Sequence, residues 1–437
     1  MKYANQVSDV LNAFSPEPLQ IEQMGEFYCD NTMEFRMSDK YSSPIDDIFD
    51  MCSIQGAHNA FLLLGHKGCG KSTELNRMSE KFKRAGYQVK TIVCSTDLDL
   101  VNIVYSDLFI LMGEALLKMA DESGCAIDEK VLNRIKEFWS ECEQTTVLQR
   151  QGNCSMESEI GVETPALITV ILKAFAKIKA DLKLSEETRV EYRKKISVHL
   201  SEWIMLLKYV ADEIAKKTGE KQPIIIFEDL DKLNPEDAWN VFYNYAAILS
   251  GMSFPVIYTF PIGLSYDTRF AAVEGYFTAK TLPMIKIETM DGVPFDEGID
   301  VIRKIVEKRA DLNLFEENVL EKLIKSTGGS LRDLFHTINA SAKRAERRRS
   351  ISISDEDAER ALEELKTSLT RRIEQKDYEF LVKIYRGNKE LIEDKEILLK
   401  MLQASVVLEY NGKRWHNVHP LVARFLIEQG LIENVRE

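Results

Sequence analysis

Apolar and polar positions divide the chain into segments with two different periods. AFLLL at 60–64 is a continuous apolar run that stops at Gly65. A run of that kind, closed by a glycine-rich turn and followed by a helical pattern from about 71 to 85, predicts a buried parallel strand. Residues 88–94 alternate well enough for a second strand. Strand, helix, strand in that order predicts a parallel α/β sheet. From 96 to 222 the period changes. Leu108, Ile110, Leu111 and Leu116 mark one helical face, and Trp203, Ile204, Leu207, Val210 and Ile214 another. This predicts a helical insertion of roughly a hundred residues or more between two strands of one sheet. The polar stretch 148–163 divides the insertion and reads as mobile. The sheet resumes with IIIF at 224–227, then PVIYTF at 255–260. A last strand is expected over 281–287, at the edge, because Pro283 cannot donate to a ladder. Residues 296–373 read as helical, with turn signals at 311–313, 328–329 and 350–354. The final stretch is mixed, and Asn411-Gly412 between two apolar runs is a hairpin signal. Helical pieces plus that hairpin suggest a small winged-helix domain.

These patterns give an N-terminal arm (1–55), a sheet core (56–290) holding the insertion, a helical lid (291–373) and a winged-helix-like segment (374–437). A chain of 437 residues is long for one core, so several domains are expected. With 45% hydrophobic and 29% charged residues it has the composition of a soluble globular protein. The formal net charge of −13 gives no global drive toward nucleic acid or anionic membrane. The N-terminus lacks the apolar core of a signal peptide. The apolar stretch 165–176 is too short to span a bilayer and is interrupted by Lys173. Seven cysteines, with no CxxC pair, read as reduced thiols of a cytoplasmic protein. No His or Cys pairs have zinc-ligand spacing.

Gly65, His66, Lys67, Gly68, Cys69, Gly70, Lys71 and Ser72 fit the pattern GxxxxGK[ST]. Glycines let backbone N–H groups turn inward around phosphate oxygens, and the helix that starts there adds its positive dipole end. Lys71 would reach the β- and γ-phosphates, the Ser72 hydroxyl would ligate Mg²⁺, and Thr73 follows in the first helical turn. The strand at 224–227 ends in Glu228, Asp229, Leu230 and Asp231. Successive strand residues point to opposite faces, so Glu228 is assigned to the metal side and Asp229 to an attacking water. Thr259, at the end of its strand, is a candidate γ-phosphate contact; the alternative is an ordinary strand threonine. Arg332 follows Gly328-Gly329-Ser330 at a helix start and is a candidate lid arginine; the alternative is a surface ion pair. Arg269 is a weaker candidate for action in trans. Lys343, Arg344, Arg347, Arg348 and Arg349 read first as a solvated helix end complementing its dipole, and second as a nucleic-acid contact. Residues 376–437 carry ten Lys/Arg against ten Asp/Glu, which disfavours DNA reading there. Trp415, His416 and His419 read as hairpin packing.

In this order the P-loop, IIIFEDLD at 224–231, GGSLR at 328–332 and the winged C-terminus resemble AAA+ ATPases, by architecture the replication-initiator (origin-recognition) clade. GHKGCGKSTELN at 65–76 is also similar to bacterial P-loop ATPases with a large helical insert, some in anti-phage defence loci. The resemblance covers most of 56–437. It implies an AAA+-type P-loop NTPase fold, and ATP and Mg²⁺ held by residues 65–73 and Glu228. The catalytic set would be Asp229, Glu228, Lys71, Thr259 and Arg332. It further implies a switch coupling nucleotide state to a protein partner, through the insertion or the winged domain, with homo-oligomers and a part in genome defence as extensions. A DNA-binding initiator and a nucleotide-stabilised scaffold are the rivals. The usual strand-end pair is Asp then Glu, or Asp-Asp. The Glu-Asp order found here lengthens the metal-side arm and shortens the water-side one, which implies slow turnover.

Overall fold

In the computed structural model, residues 1–30, 36, 43–54, 59–149, 164–184, 186–387, 394–410 and 415–433 are described. The polar stretch from 150 to 163 and the Asn411-Gly412 turn lie outside the described residues. Five parallel strands form the central sheet: β1 Ala60–Leu64, β2 Val89–Val93, β3 Ile224–Glu228, β4 Val256–Phe260 and β5 Thr278–Thr281. Their order is β2-β3-β4-β1-β5. Every residue of β1, β3 and β4 is buried, as their unbroken apolar runs require when helices cover both faces of a parallel sheet. β1 and β3 flank β4, so the glycine loop after β1 and the acids ending β3 emerge on the same edge. That carboxyl edge is where open α/β sheets bind ligands.

The last strand corrects the expectation of 281–287. It spans Thr278–Thr281, and its four residues are only partly buried. The apolar residues beyond it belong to a different role. Leu282 still donates to Leu64 O (2.8 Å), but Pro283 has no N–H and the ladder stops. Leu282 and Met284 then pack beneath the sheet with Phe61 and Leu63.

Between β2 and β3 the chain is helical, with Tyr105–Glu122, Glu129–Gln149, Thr164–Leu184, Glu186–Val198 and Leu200–Lys217 among the described residues. The first of these is buried almost throughout. Trp203 fixes its approach to the last: its indole N–H donates to Phe109 O at 3.0 Å, and its ring lies on Gly113. A Cβ at 113 would sit 2.3 Å from the Trp203 ring. Alanine gains about 1 kcal/mol of helix propensity over glycine, whereas overpacking a rigid core costs about 1–3 kcal/mol. The clash is with an indole pinned by its own hydrogen bond, so the steric effect wins. Gly113→Ala is expected to lower the midpoint of chemical unfolding.

The lid comprises Asp296–Glu307, Val319–Ser326, Leu331–Arg347 and Asp355–Thr370. The N-terminal segment is woven into it. Ala4 N–H donates to Arg309 O and Asp311 N–H to Ala4 O, both at 2.9 Å. Val7, Val10, Ala13 and Phe14 are buried in the lid core. After the lid come Tyr378–Tyr385, Lys395–Gln403, an antiparallel hairpin (β6 Val407–Tyr410, β7 Trp415–Val418) and Pro420–Glu428. The eight described strand residues of the hairpin are buried, and Leu408, Tyr410 and Trp415 join the apolar layer under the phosphate loop. The same burial places His416 and His419 in packing roles. Among the described residues no helix is long and apolar enough to cross a membrane.

Candidate nucleotide site

The glycine loop leaves β1 and runs straight into the helix Lys71–Arg84. Gly70 caps that helix at φ +99°, and Gly68 sits at φ +87°; both values are costly for residues with a Cβ. At Gly68 the restriction is double, because a Cβ there would lie 2.5 Å from Arg332 Cβ. The lid arginine is thus brought directly against the phosphate loop, although 260 residues separate the two.

Lys71 is 7% exposed, and its Nζ makes three contacts. It donates to Gly65 O (2.8 Å) and His66 O (2.9 Å), and pairs with Asp231 Oδ2 at 2.9 Å. Burial opposes its charge, but Asp231 outweighs burial and raises its pKa. For Asp231 burial alone would raise the pKa, yet Lys71 holds it below the ordinary range. Asp231 was not among the acids singled out from the sequence. Its signal was its place two residues beyond Asp229 in the same strand-end motif.

Ser72 lies beside Glu228, and its hydroxyl favours the charged carboxylate, so the serine and the first strand-end acid are neighbours. Desolvation raises the Glu228 pKa to about 7, against the pull of Ser72. Asp229 takes the left-handed conformation, φ +71°. Its Oδ2 accepts from the Ser95 hydroxyl, and Oδ1 pairs with Lys232 Nζ at 2.6 Å. Glu228 and Asp229 therefore face different partners. The Thr259 hydroxyl accepts from the amides of Leu230 (3.0 Å) and Asp231 (3.4 Å) and donates to Phe227 O. Thr259 thus fixes the turn that presents Asp231, with its hydroxyl committed to backbone. Thr73 accepts from Leu19 N–H at 3.3 Å. Cys69 is buried in the apolar layer below the loop, and Lys67 lines the cleft, with burial lowering its pKa. His66 points away from the cleft, its Nε2 accepting from Glu409 N–H.

The cleft runs from Lys67, Gly68 and Lys71 past Arg332 to an apolar end between the lid and the N-terminal arm. Pro16, Leu19 and Phe27 from the arm face Ile305, Leu331 and Phe335 from the lid. The arm is clamped onto the first turns of the P-loop helix: Asn76 Nδ2 donates to Leu19 O (3.0 Å), and Tyr28 O–H to Glu74 (2.8 Å). Arg309 stacks on Phe335 (4.6 Å) and donates to Ala13 O (3.1 Å). Among the described residues Arg332 makes no ion pair, and Lys67, Lys71 and Arg332 converge around Asp231 at this end of the cleft, which Asp229 also lines. One end of the cleft is cationic and the other apolar, the polarity of a nucleoside triphosphate.

The other candidates are structural. Arg269 pairs with Asp267 and lies over Trp239. In the basic cluster, Arg344 pairs with Glu364 and Arg348 with Asp357, both on the next helix.

Glu228 yields a pH prediction. Its folded-state pKa, about 7, lies above the ordinary 4.5. The stability it contributes is therefore fully present below the unfolded pKa and is lost as pH rises through the folded one, about 3 kcal/mol in all. Glu228→Gln carries no such loss. Without cation or nucleotide, its melting temperature relative to the parent should climb from about pH 5 to about pH 8; a constant difference would contradict the assignment.

No protein-family model matches the sequence, and no curated protein matches it. Solved structures do. Cdc6p from Pyrobaculum aerophilum aligns over 98% of this chain and 100% of its own, at 13% identity and TM-score 0.38. A Walker-type ATPase of Pyrococcus abyssi covers 95% and 99%, at 14% identity and TM-score 0.45. The Aeropyrum pernix ORC2 protein, solved as ADPNP–ADP complexes, covers 96% and 97%, at 12% identity and TM-score 0.35. These alignments span nearly the full length of each chain, at 12–14% identity and TM-scores below 0.5.

Proposed function

We propose that this protein is an AAA+-type switch that binds Mg·ATP, hydrolyses it slowly, and passes the nucleotide state to a protein partner. The observation that carries this reading is the meeting of Lys71, Ser72, Glu228 and Asp231 at the start of one helix, under a lid arginine. Backbone amides of residues 66–72 and the helix dipole hold phosphate oxygens there. Lys71 exchanges its loop carbonyls for phosphate oxygens, and Arg332 closes on the γ-phosphate end. Ser72 and Glu228 would hold Mg²⁺, which supplies charge neutralisation across the phosphates. Asp229 orients the attacking water once Ser95 and Lys232 release it. That engagement supports slow turnover and, as a second reading, a scaffold that binds ATP without measurable hydrolysis. A DNA-loading role has less support, since the hairpin strands are buried and two of the five residues in the basic cluster are paired.

Calorimetry with Mg·ATP, followed by phosphate release with and without duplex DNA over a salt series, tests the proposal. Saturable binding with slow, DNA-indifferent release is expected. No heat on adding Mg·ATP would end the reading. Binding without release would leave the scaffold, and turnover stimulated by DNA with a steep salt dependence would favour the initiator.

A further inference from the structure

The C-terminal hairpin touches both elements that would grip the phosphates. On the loop side, Glu409 N–H donates to His66 Nε2 at 2.8 Å, across 343 residues of sequence. An amide can only donate, so Nε2 carries the lone pair and the ring proton sits on Nδ1. Burial, aided by the charge of Lys71, pushes the His66 pKa down to about 3, so the ring is neutral at working pH. On the lid side, Tyr410 O–H donates to Gly328 O (2.7 Å), in the turn leading to Arg332. His419 Nε2 lies 3.8 Å from Asp333, the residue after that arginine. Behind these contacts stands a buried polar cluster. Tyr266 donates its one proton to Glu409 (2.7 Å), so His416 Nε2–H donates to Tyr266 O (2.8 Å). The preceding helix, Lys395–Gln403, packs on the 262–266 turn that follows β4.

Lys71 makes this arrangement sensitive to ligand. One of the carbonyls it holds is that of His66. A phosphate that draws Lys71 Nζ away frees that carbonyl, and the ring of the same residue holds the Glu409 amide.

We infer that His66 ties the C-terminal segment to the phosphate loop, so that residues 395–410 and 415–418 shift with nucleotide binding and form the output element of the switch. This rests on the proposed nucleotide binding and adds where its signal emerges. The Glu409 amide points out of the hairpin toward His66, so proline there removes the donor from an outward-facing edge position. Glu409→Gln keeps the amide and is its control.

Hydrogen exchange of peptides covering 395–403 and 415–418 reads the coupling, with calorimetry on the same samples and a non-hydrolysable Mg·ATP analogue as ligand. In the parent protein and in Glu409→Gln, ligand should change exchange in both peptides by roughly 10-fold or more. In Glu409→Pro the ligand should still bind, with that response lost. Binding in the parent with unchanged exchange overturns the inference alone, whether or not the proline variant folds. So does a parent-like response in Glu409→Pro. Absence of binding in the parent overturns the nucleotide reading and this inference with it.

Discussion

Lys71→Ala is expected to weaken Mg·ATP binding by at least ~100-fold, about 2.7 kcal/mol, because the buried ammonium placed at the helix start for the β- and γ-phosphates is gone. The same change should harm the fold. Asp231 is buried and paired with Lys71 at 2.9 Å. Removing one member of a buried ion pair leaves an uncompensated charge, typically 3–5 kcal/mol of destabilisation. A loss of binding in Lys71→Ala alone would thus confuse two causes, and the double variant Lys71→Ala with Asp231→Asn separates them. Replacing the carboxylate by an amide should recover much of the melting temperature while binding stays lost. Titration calorimetry and thermal unfolding on both variants check this. Binding within threefold of the parent in either folded variant would remove Lys71 from the site.

Asp229→Asn should do the reverse. Binding of Mg·ATP should persist, since neither Ser72 nor Lys71 depends on Asp229. Phosphate release should fall by roughly 100-fold or more, the usual worth of a group that accepts a proton from or aligns the nucleophile. The side chain loses its pairing with the half-exposed Lys232, which costs little in stability. Single-turnover phosphate release measures the effect directly. Undiminished turnover would leave Asp229 as nothing more than the anchor of Ser95 and Lys232.

The parts of this molecule that could be read along the chain are those whose cause is local. AFLLL and IIIF declare buried strands because parallel strands covered on both faces must be apolar throughout. The glycine loop declares itself because only glycine accepts the backbone of residues 68 and 70 beside a lid side chain. The four-residue β5 failed to declare itself because its TAKT sequence is only half buried, while the apolar residues that follow it serve a packing layer. The arm failed for another reason. Pro16, Leu19 and Phe27 look like scattered apolar residues in a polar stretch, and their partners lie in the lid, some 280 residues on. In the hairpin Glu409, His416 and Asn417 are polar, and nothing in the local sequence marks them as buried. Each is buried, and each is satisfied by a distant residue: Glu409 and His416 by Tyr266, and Asn417 by Glu288. A local pattern counts polarity but cannot see such partners.

The pairing of Ala4 with Arg309 and Asp311 bears on how the molecule is made. A segment synthesised first finds its mate only after some three hundred further residues have been added, and until then Val7, Val10 and Phe14 have nothing to cover them. Contacts of such sequence separation slow the search and leave sticky intermediates exposed. Burial of Val7, Val10 and Phe14 thus waits on residues some three hundred positions further along.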